Sequence, residues 1–294
     1  MKKEVSLCRQ LLCLIIALCI AIAITAELSE SYAAPVGNSL EITTPRNSLI
    51  SRSRSIALAL ALEETGGYVG RFKGALDLEF VLDKEFSTST EVTDAKLDDG
   101  QWYMAKVSYA VNERIEPYLT FGVANLNYKW NNSGTPVEVD SDSSFAWGVG
   151  SKLELWKFKD YGMKLYADFQ YRETEPDLDS IQISGTGETG TETEFKVREW
   201  QRSLLVSKEL DRYVGGLGYR FIPYAGLTWS DTDINLHFVN NSAVYDLYHA
   251  GNKNKVGFVA GCDVLPEDAA AYAFNLETRF IDEFAITAGG VVRF

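Results

Sequence analysis

The chain has 294 residues, a formal net charge of −13, 12% aromatic residues and four cysteines. This length allows one large domain or two small ones. The strong negative charge argues against an electrostatic interaction with nucleic acid, so we expect no nucleic-acid partner.

The N-terminus has the layout of a secretory signal peptide. Two lysines precede an almost wholly apolar run over residues 11–24, and Ser31-Tyr32-Ala33, with small residues at its first and third positions, supplies a cleavage site. A retained membrane anchor is the alternative, but about fourteen residues fall short of the roughly 20 that a spanning helix needs. We predict a signal peptide over residues 1–33. The exported chain then keeps Cys262 alone, which excludes an intrachain disulfide.

Residues 34–65 form a mixed, polar stretch that we predict to be a periplasmic N-terminal segment. It contains a short apolar run, IALALAL, at residues 56–62. That run is compatible with one helical turn or with an extra strand. Nothing in its composition indicates a function.

From residue 66 onward, apolar and polar residues alternate with the period of two that is typical of β-strands. In one segment Ile115, Leu119 and Phe121 share a face, and Glu116 lies on the other. The sixth segment is the weakest, because no assignment keeps every charge off its apolar face. Ten segments are predicted: 67–83, 101–112, 115–128, 144–156, 162–174, 195–210, 216–230, 253–264, 270–281 and 284–294.

Strand length and connection length distinguish a membrane barrel from a soluble sandwich, which also alternates. Soluble strands usually have about five or six residues, whereas a membrane-spanning strand needs roughly 9–11. Short turns alternate here with long polar connections at 85–100, 129–143, 175–194 and 231–252. Outer-membrane barrels show the same alternation.

Aromatic residues gather where these segments end. Trp102, Trp130, Trp147 and Trp229 lie near long connections, while Trp156 and Tyr161 lie near a short turn. This indicates two interfacial girdles. We predict an all-β fold over residues 66–294: a closed antiparallel transmembrane β-barrel of about ten strands. Short turns and both termini would lie in the periplasm, and long loops would be extracellular.

These features resemble the bacterial outer-membrane β-barrel proteins. The last strand, FAITAGGVVRF, ends on Phe, as in that family. The resemblance implies that the barrel assembly machinery recognises this strand, and that outer-membrane lipid and lipopolysaccharide surround the chain. The residues of this assembly signal are Ile286, Ala288, Gly290, Val292 and Phe294.

A more local likeness points to one family of barrels. Residues 199–210 and 223–231 are similar to a stretch of the chlamydial major outer membrane protein, a porin. That family is rich in cysteine, whereas the exported form of this chain keeps only Cys262. The disulfide-linked role of the family is therefore not carried over. PYLTFGVAN at 117–125 and PYAGLTWSD at 223–231 also resemble each other. Barrel chemistry or a true repeat could explain this second likeness.

The polar faces of the strands define a candidate lumen. Side chains fill the interior of barrels of about eight strands, so we predict a mostly filled lumen and a structural or surface-exposed role. A narrow porin-like channel with a small basic excess is the alternative. The candidate lumen charges are Arg71, Lys73, Asp77, Glu79, Lys106, Glu116, Lys152, Glu154, Lys164, Asp168, Arg172, Arg220, Lys255, Asp263, Glu277, Arg279 and Arg293.

The sequence carries little that indicates catalysis. Its two histidines, His237 and His249, lie near Asp231, Asp233 and Asp246, and an Asp–His pair within reach could act as a base. Their spacing departs from the Asp-x-His arrangement of the omptin-type proteases, which are ten-stranded barrels. We predict no enzyme activity and no cofactor or metal, and an omptin-like protease remains the second alternative.

Overall fold

The computed structural model describes residues 72–88, 92–112, 114–188, 193–210, 219–240, 243–266, 272–281 and 283–293. The predictions for the signal peptide (1–33), the N-terminal segment (34–65), Arg71 and Phe294 lie outside these residues. Within the described part of the chain, no helix combines the length and the apolar character of a membrane span.

The described chain is all-β and forms a 14-stranded sheet. One 3-10 turn, Lys159–Tyr161, joins two strands, and Gly162 ends it in the left-handed conformation. The strands are β1 Phe72–Ser87, β2 Val92–Tyr109, β3 Ile115–Asn132, β4 Thr135–Ser141, β5 Ser144–Phe158, β6 Met163–Thr174, β7 Leu178–Ile183, β8 Thr186–Glu188, β9 Thr193–Lys208, β10 Tyr219–Asn240, β11 Ala243–Asn252, β12 Val256–Pro266, β13 Tyr272–Phe280 and β14 Phe284–Arg293.

Ten of these strands form a closed antiparallel wall, in the order β1-β2-β3-β5-β6-β9-β10-β12-β13-β14. The ring closes because β14 pairs with β1, from Lys73 opposite Arg293 to Val81 opposite Ala285. Closure leaves the wall without an exposed sheet edge, which hydrocarbon would not tolerate. The predicted closed barrel of about ten strands is therefore confirmed.

Five wall strands, β1, β2, β3, β9 and β10, continue beyond the ends of the others. Around them β4 pairs with β3 and β7, and β11 pairs with β10 and with the end of β1. The long connections of the prediction are therefore largely stranded. We call the complete ten-strand ring the lower tier, and we call the continuation that contains β4, β7, β8 and β11 the upper tier.

The lower tier presents apolar side chains outward and polar side chains inward. On β3, Leu119 is 60% exposed and Phe121 49%, whereas Glu116, Tyr118 and Thr120 between them are buried. On β10 the outward apolar face runs from Tyr219 to Trp229. About eleven residues, at roughly 3.3 Å each and tilted near 40°, rise ~28 Å, which covers a membrane-facing apolar band about 25 Å tall.

The upper tier has the opposite polarity on the same strands. Beyond Thr232 on β10, the buried inward residues are Ile234, Leu236 and Phe238, each 0% exposed. Asp231 and Asp233 now face outward. An apolar interior inside a polar surface is the pattern of a barrel surrounded by water.

This reversal explains why the sixth predicted segment was ambiguous. In β9, Phe195 and Val197 point inward above the boundary, while Leu204 and Val206 point outward below it. The apolar residues therefore change faces within one continuous strand. No single face can hold all of them, because the surroundings of the strand change from water to hydrocarbon.

The predicted outer girdle is correct in part. Three aromatic rings lie in contact on the outer wall. The centroid of Tyr171 is 5.6 Å from that of Trp147 and 4.6 Å from that of Trp200. Trp102 and Trp130, however, are only 3% and 2% exposed and lie inside the barrel. Both occupy inward positions on strands that enter the upper tier, where aromatic residues build the core rather than the interface.

Candidate functional site

The lower part of the lumen is filled by paired charges. Lys73 pairs with Glu116, which also accepts a hydrogen bond from Ser108 Oγ at 2.7 Å. Next to them, Lys106 Nζ lies 2.8 Å from Asp77 Oδ2. All of these side chains are buried. Removing one partner of such a pair would leave an uncompensated charge away from water, which is strongly destabilising.

Two tyrosines lie flat across glycines on the adjacent strands. Tyr118 is opposite Gly150, and Tyr224 is opposite Gly261. A Cβ on either glycine would come within 2.4 Å of the tyrosine ring. Each ring therefore needs a neighbour without a side chain and covers the bare backbone there. These are the matching tyrosines of the two similar PY segments, so that likeness reflects one packing arrangement used twice.

The tyrosine hydroxyls join the polar network of the lumen. Tyr118 Oη donates to Asp168 Oδ1 at 2.7 Å, and Tyr224 Oη donates to Glu277 Oε2 at 2.8 Å. Asn275 Nδ2 donates to Tyr224 Oη at 2.9 Å. The two rings thus connect the wall strands to carboxylates two strands away around the ring.

Two buried arginines bridge the lumen at the top of the lower tier. Arg172 of β6 makes a bidentate pair with Glu79 of β1, at 2.9 Å and 3.3 Å, and also pairs with Glu199. Arg279 of β13 reaches the same Glu79 at 2.9 Å and Glu283 at 3.0 Å. In the ring β1 and β6 stand on nearly opposite walls. A direct contact between them therefore crosses the lumen.

A second contact across the lumen lies at the boundary between the tiers. Lys84 of β1 donates to Thr232 Oγ1 of β10 at 2.9 Å. Trp102 lies against the Arg172 guanidinium, with its ring centroid 3.9 Å from Cζ. The space lined by these four residues and Glu199 is a cavity of about 10 Å³. That is roughly enough for one water molecule and not for a solute.

The apolar core of the upper tier lies directly above this boundary. Trp130 of β3 contacts Phe238 of β10 with centroids 6.3 Å apart, and Tyr128 contacts Phe195 at 5.4 Å. Val137 and Val139 of β4 are buried in the same cluster. Side chains from facing strands thus meet in the centre of the upper tier and cover the polar lumen.

The structure places most of the predicted lumen charges inside the barrel. Glu154 and Lys164 are half-buried and lie 3.5 Å apart, and Arg220 is half-buried and pairs with Glu209. Arg71 and the side chain of Arg293 lie outside the described part. The buried members are Lys73, Asp77, Glu79, Lys106, Glu116, Lys152, Asp168, Arg172, Asp263, Glu277 and Arg279.

Lys255 is a correction, because it does not line the lumen. It is exposed on the outer surface, where its Nζ lies 2.7 Å from Asp231 Oδ1. The prediction extended the alternation of β12 back to residue 253. The strand begins only at Val256, so Lys255 belongs to the preceding bend and turns outward.

The prediction also missed three buried lumen charges: Lys84, Glu199 and Glu283. Lys84 follows a β-bulge between Val81 and Asp83, which shifts the inward positions of β1 by one residue. Glu199 lies in the ambiguous sixth segment. Over the described residues the fully buried charges are six basic and eight acidic. The expected basic excess also counts Arg71 and Arg293, whose side chains lie outside the described part, so it stays a prediction for the whole lumen.

Charged side chains on the outside of the upper tier form their own network. Asp98 accepts from Lys129 and Lys96, each at 2.7 Å, and Lys129 also reaches Glu138 at 2.7 Å. The hydrogen bond from Lys129 holds the pKa of the Asp98 carboxyl below its usual value. Asp98 in turn raises the pKa of Lys129. These groups are partly exposed, so their contribution to stability is modest.

The histidine region faces away from the lumen. His237 lies between Leu236 and Phe238, which point inward, so its own side chain points outward from the upper tier. The register puts His237 opposite Asp246 on β11. The side chains of Asp246 and His249 lie outside the described residues. Among the residues that the structure describes, no group of His, Cys, Asp and Glu is arranged to hold a metal ion.

The C-terminal strand completes the wall. Ile286 and Ala288 are exposed on its outer face, and Gly290 and Val292 are half-buried there. On the inner face a Cβ at Gly289 would lie 2.6 Å from Asp77 Oδ1. The glycine therefore makes room for a lumen carboxylate.

Comparisons with known sequences agree with this architecture. No protein-family model matches the chain. It is 23% identical over 248 residues to the major outer membrane porin, serovar D, of Chlamydia trachomatis, covering 62% of this chain and 59% of that protein. The serovar L3 porin is 24% identical over 224 residues, covering 54% and 53%. The chain is a bacterial outer-membrane β-barrel protein. This outer-membrane protein thus spans 53–59% of the length of these two relatives.

Two solved barrels are similar to this outer-membrane protein in overall fold. The translocator domain of the autotransporter NalP from Neisseria meningitidis has 12% identity, a TM-score of 0.43, and covers 80% of this chain and 93% of that one. The outer membrane protease OmpT from Escherichia coli has 10% identity, a TM-score of 0.42, and coverages of 76% and 97%. At such low scores, neither protein's activity is carried over.

Proposed function

We propose that this protein is a structural or surface-exposed barrel whose lumen is sealed against solutes. The observation that carries the proposal is the direct pairing of Arg172 with Glu79 across nearly opposite walls. Lys84 and Thr232 make a second such contact. A barrel of about ten strands is narrow enough for side chains to meet across it, and the apolar core of the upper tier adds a second barrier.

The same proposal includes an orientation. We place the upper tier outside the cell and the short turns, with both termini, in the periplasm. Two features support this: outer-membrane barrels carry their long connections on the extracellular side, and here the long connections build the upper tier. The charged outer surface of that tier, including Lys96, Asp98 and Lys129, also requires water.

Single-channel recording in planar bilayers tests the sealed lumen. We expect the purified protein to show no resolved conductance steps, under conditions in which a conducting bacterial porin, used as the positive control, shows them. Folding of each sample is checked by the mobility of the unheated barrel on a gel. Regular, ion-selective steps from folded protein would contradict the proposal.

A narrow porin-like channel is the second candidate. The similarity to the chlamydial porins favours it. If this barrel conducts, its buried described charges, with eight acidic against six basic groups, predict a preference for cations. A reversal potential measured in a salt gradient would show that preference, and anion selectivity would contradict this account of the lumen charges.

We propose no catalytic role. A base built from His237 would have to work on the outer surface of the upper tier, since the side chain points away from the lumen. We expect peptide cleavage by the purified protein to stay at background level in the wild type and in His237→Ala alike. Cleavage that this substitution abolishes would revive the protease alternative.

We also propose that the assembly machinery recognises the C-terminal strand. Support comes from the position of β14, which closes the ring against β1 while presenting Ile286 and Ala288 outward. Deleting Phe294 should lower the yield of folded protein in the outer membrane severalfold. Deleting Ser184 in an exposed turn of the upper tier serves as the control. Equal yields from the wild type and the Phe294 deletion would contradict this role.

A further inference from the structure

Three outward-facing residues meet where the lower tier ends. Trp229 on β10 is opposite Arg202 on β9. The Arg202 guanidinium lies over the indole, with Cζ 4.7 Å from the ring centroid, and Lys255 Nζ lies 5.9 Å from the same centroid. Two cationic groups therefore sit within 6 Å of one interfacial tryptophan.

The neighbours of this cluster fix its height on the wall. Two residues further down each strand, Leu204 and Leu227 lie opposite each other, face outward and are 48% and 55% exposed. One step above, Trp200 is opposite Asp231. The cluster thus lies at the upper edge of the apolar band, where lipid headgroups replace acyl chains.

The charge of the cluster is not balanced. Asp231 Oδ1 accepts a hydrogen bond from Lys255 Nζ at 2.7 Å, so the carboxylate neutralises the charge of Lys255. Arg202 is exposed, and within the described chain no carboxylate lies within ion-pair distance of its guanidinium. Arg198, four residues away on the same face, differs because Glu173 accepts from its Nε at 3.3 Å. One unpaired positive charge therefore remains at the membrane edge beside Trp229.

We propose that Arg202, Trp229 and Lys255 form a binding site for the phosphate of an outer-leaflet lipid headgroup. A guanidinium stacked on an indole keeps the N–H groups of its edge free, and this planar fork matches two phosphate oxygens. The ammonium of Lys255 adds a second donor beside the same ring. Trp229 holds the arginine at headgroup depth, and Leu204 and Leu227 below it contact the acyl chains of the same lipid.

This inference rests on the proposed orientation, because only then does the site face the outer leaflet. A phosphorylated glycolipid of that leaflet carries the required charge and acyl chains. A free phosphate ion would lack the chains, so it could not use the two leucines.

Lipid binding to the folded, detergent-purified protein tests the site. Native mass spectrometry would follow the titration of the wild type with bis-phosphorylated lipid A, with its dephosphorylated form, and with lipid A plus millimolar inorganic phosphate. We expect one lipid A to bind, the dephosphorylated form to bind about tenfold more weakly, and inorganic phosphate to leave the complex intact.

Substitutions on one strand supply the matched comparison. Arg202→Gln should weaken lipid A binding about tenfold, and Arg202→Lys should weaken it less because the charge remains. Arg198→Gln should bind like the wild type, since Glu173 already neutralises that arginine. Unheated gel mobility checks the folding of each variant. Equal binding by the two glutamine variants, equal binding of both lipid forms, or displacement by inorganic phosphate would overturn the site.

A separate readout tests the orientation. An epitope inserted after Gly185, in the exposed β7–β8 turn, should be detected on intact cells. Surface detection combined with no effect of Arg202→Gln on lipid binding would overturn the lipid site alone. Detection only after cell lysis would overturn the orientation, and with it the assignment of the site to the outer leaflet.

Discussion

The two tiers of this barrel use the same strands in opposite ways. In the lower tier, outward Leu119 meets lipid and inward Glu116 meets other charges. In the upper tier of the same strand, Trp130 is buried inward, and outward Lys129 pairs with Asp98. Inward and outward residues alternate along the whole strand, but near Val123 the apolar residues move from the outward face to the inward face. The comparison shows that the surroundings of the wall, rather than the strand itself, decide which face is apolar.

The two interiors also hold the barrel together differently. The lower interior depends on a few directional pairs, in which each arginine contacts two or three carboxylates. The upper interior depends on many small contacts among apolar side chains. Loss of one charged group in the lower interior should therefore cost as much as loss of a whole apolar side chain in the upper interior.

The largest effect is expected at Arg279, which is 0% exposed and lies against Glu79 and Glu283. Arg279→Met should destabilise the barrel by about 3–5 kcal/mol, or prevent assembly, because buried Glu79 and Glu283 each lose a positively charged partner. The control Lys253→Met removes an exposed partner of Glu85 and should cost about 0–1 kcal/mol. Urea unfolding in lipid vesicles measures both, and similar losses would contradict the account.

The next effect concerns the core of the upper tier. Leu236 is 0% exposed, and Leu236→Ala should cost about 2–5 kcal/mol by removing contacts and leaving a cavity. The adjacent Asn235 points outward, so Asn235→Ala should change the free energy of unfolding by about 0.5 kcal/mol at most. If the same unfolding assay showed no difference between the two variants, the upper tier would lack a packed apolar core.

A smaller effect is expected for one hydroxyl group in the lower interior. Tyr224→Phe keeps the ring over Gly261 but removes one hydrogen-bond partner from each of Glu277 and Asn275. It should cost about 1–2 kcal/mol, because buried polar groups lose a hydrogen bond. Tyr219→Phe on the outward face of the same strand should be nearly neutral. Equal unfolding midpoints for both variants would mean that the hydroxyl network contributes nothing.

The smallest effect is a pH dependence of the upper tier. The pKa of Asp98 is lowered in the folded protein, mainly by Lys129, so its stabilising effect is complete above the unfolded value of 3.8. It is lost as the pH falls through the lower, folded value. We expect a loss of about 0.2–1 kcal/mol below pH 4. Asp98→Asn should lack this component, and an unchanged acid profile in that variant would contradict the role of the pair.

Much of the lower tier could be predicted from the period of two. It identified the ten wall strands and placed Glu79, Arg172 and Arg279 on inward faces. The bulge at Val81 and Asp83 could not be predicted, because one inserted residue leaves no mark on composition. Lys84 was missed because the predicted segment ended at residue 83, where the bulge interrupts the alternation, whereas β1 continues to Ser87.

The upper tier was missed because its stretches were predicted to be long polar connections. In β3 the outward series changes from Val123 to Asn125 while the inward series becomes apolar at Leu126. Such a change within one strand is visible in the sequence and marks the membrane boundary. The short strands β4 and β7 gave no comparable signal, because they lie in connections rich in charge and are shaped by the core that they cover.

The reversal of polarity on β10 is the central claim and can be measured directly. In a Cys262→Ser background, nitroxide labels are attached to single cysteines at outward positions Leu227 and Asn235. Labelled Leu227→Cys should collide mainly with oxygen dissolved in lipid, and labelled Asn235→Cys mainly with a water-soluble nickel chelate, with the crossover between Trp229 and Asp231. Two labels with the same preference, or a Leu227 label shielded from both reagents, would contradict the two-tier barrel.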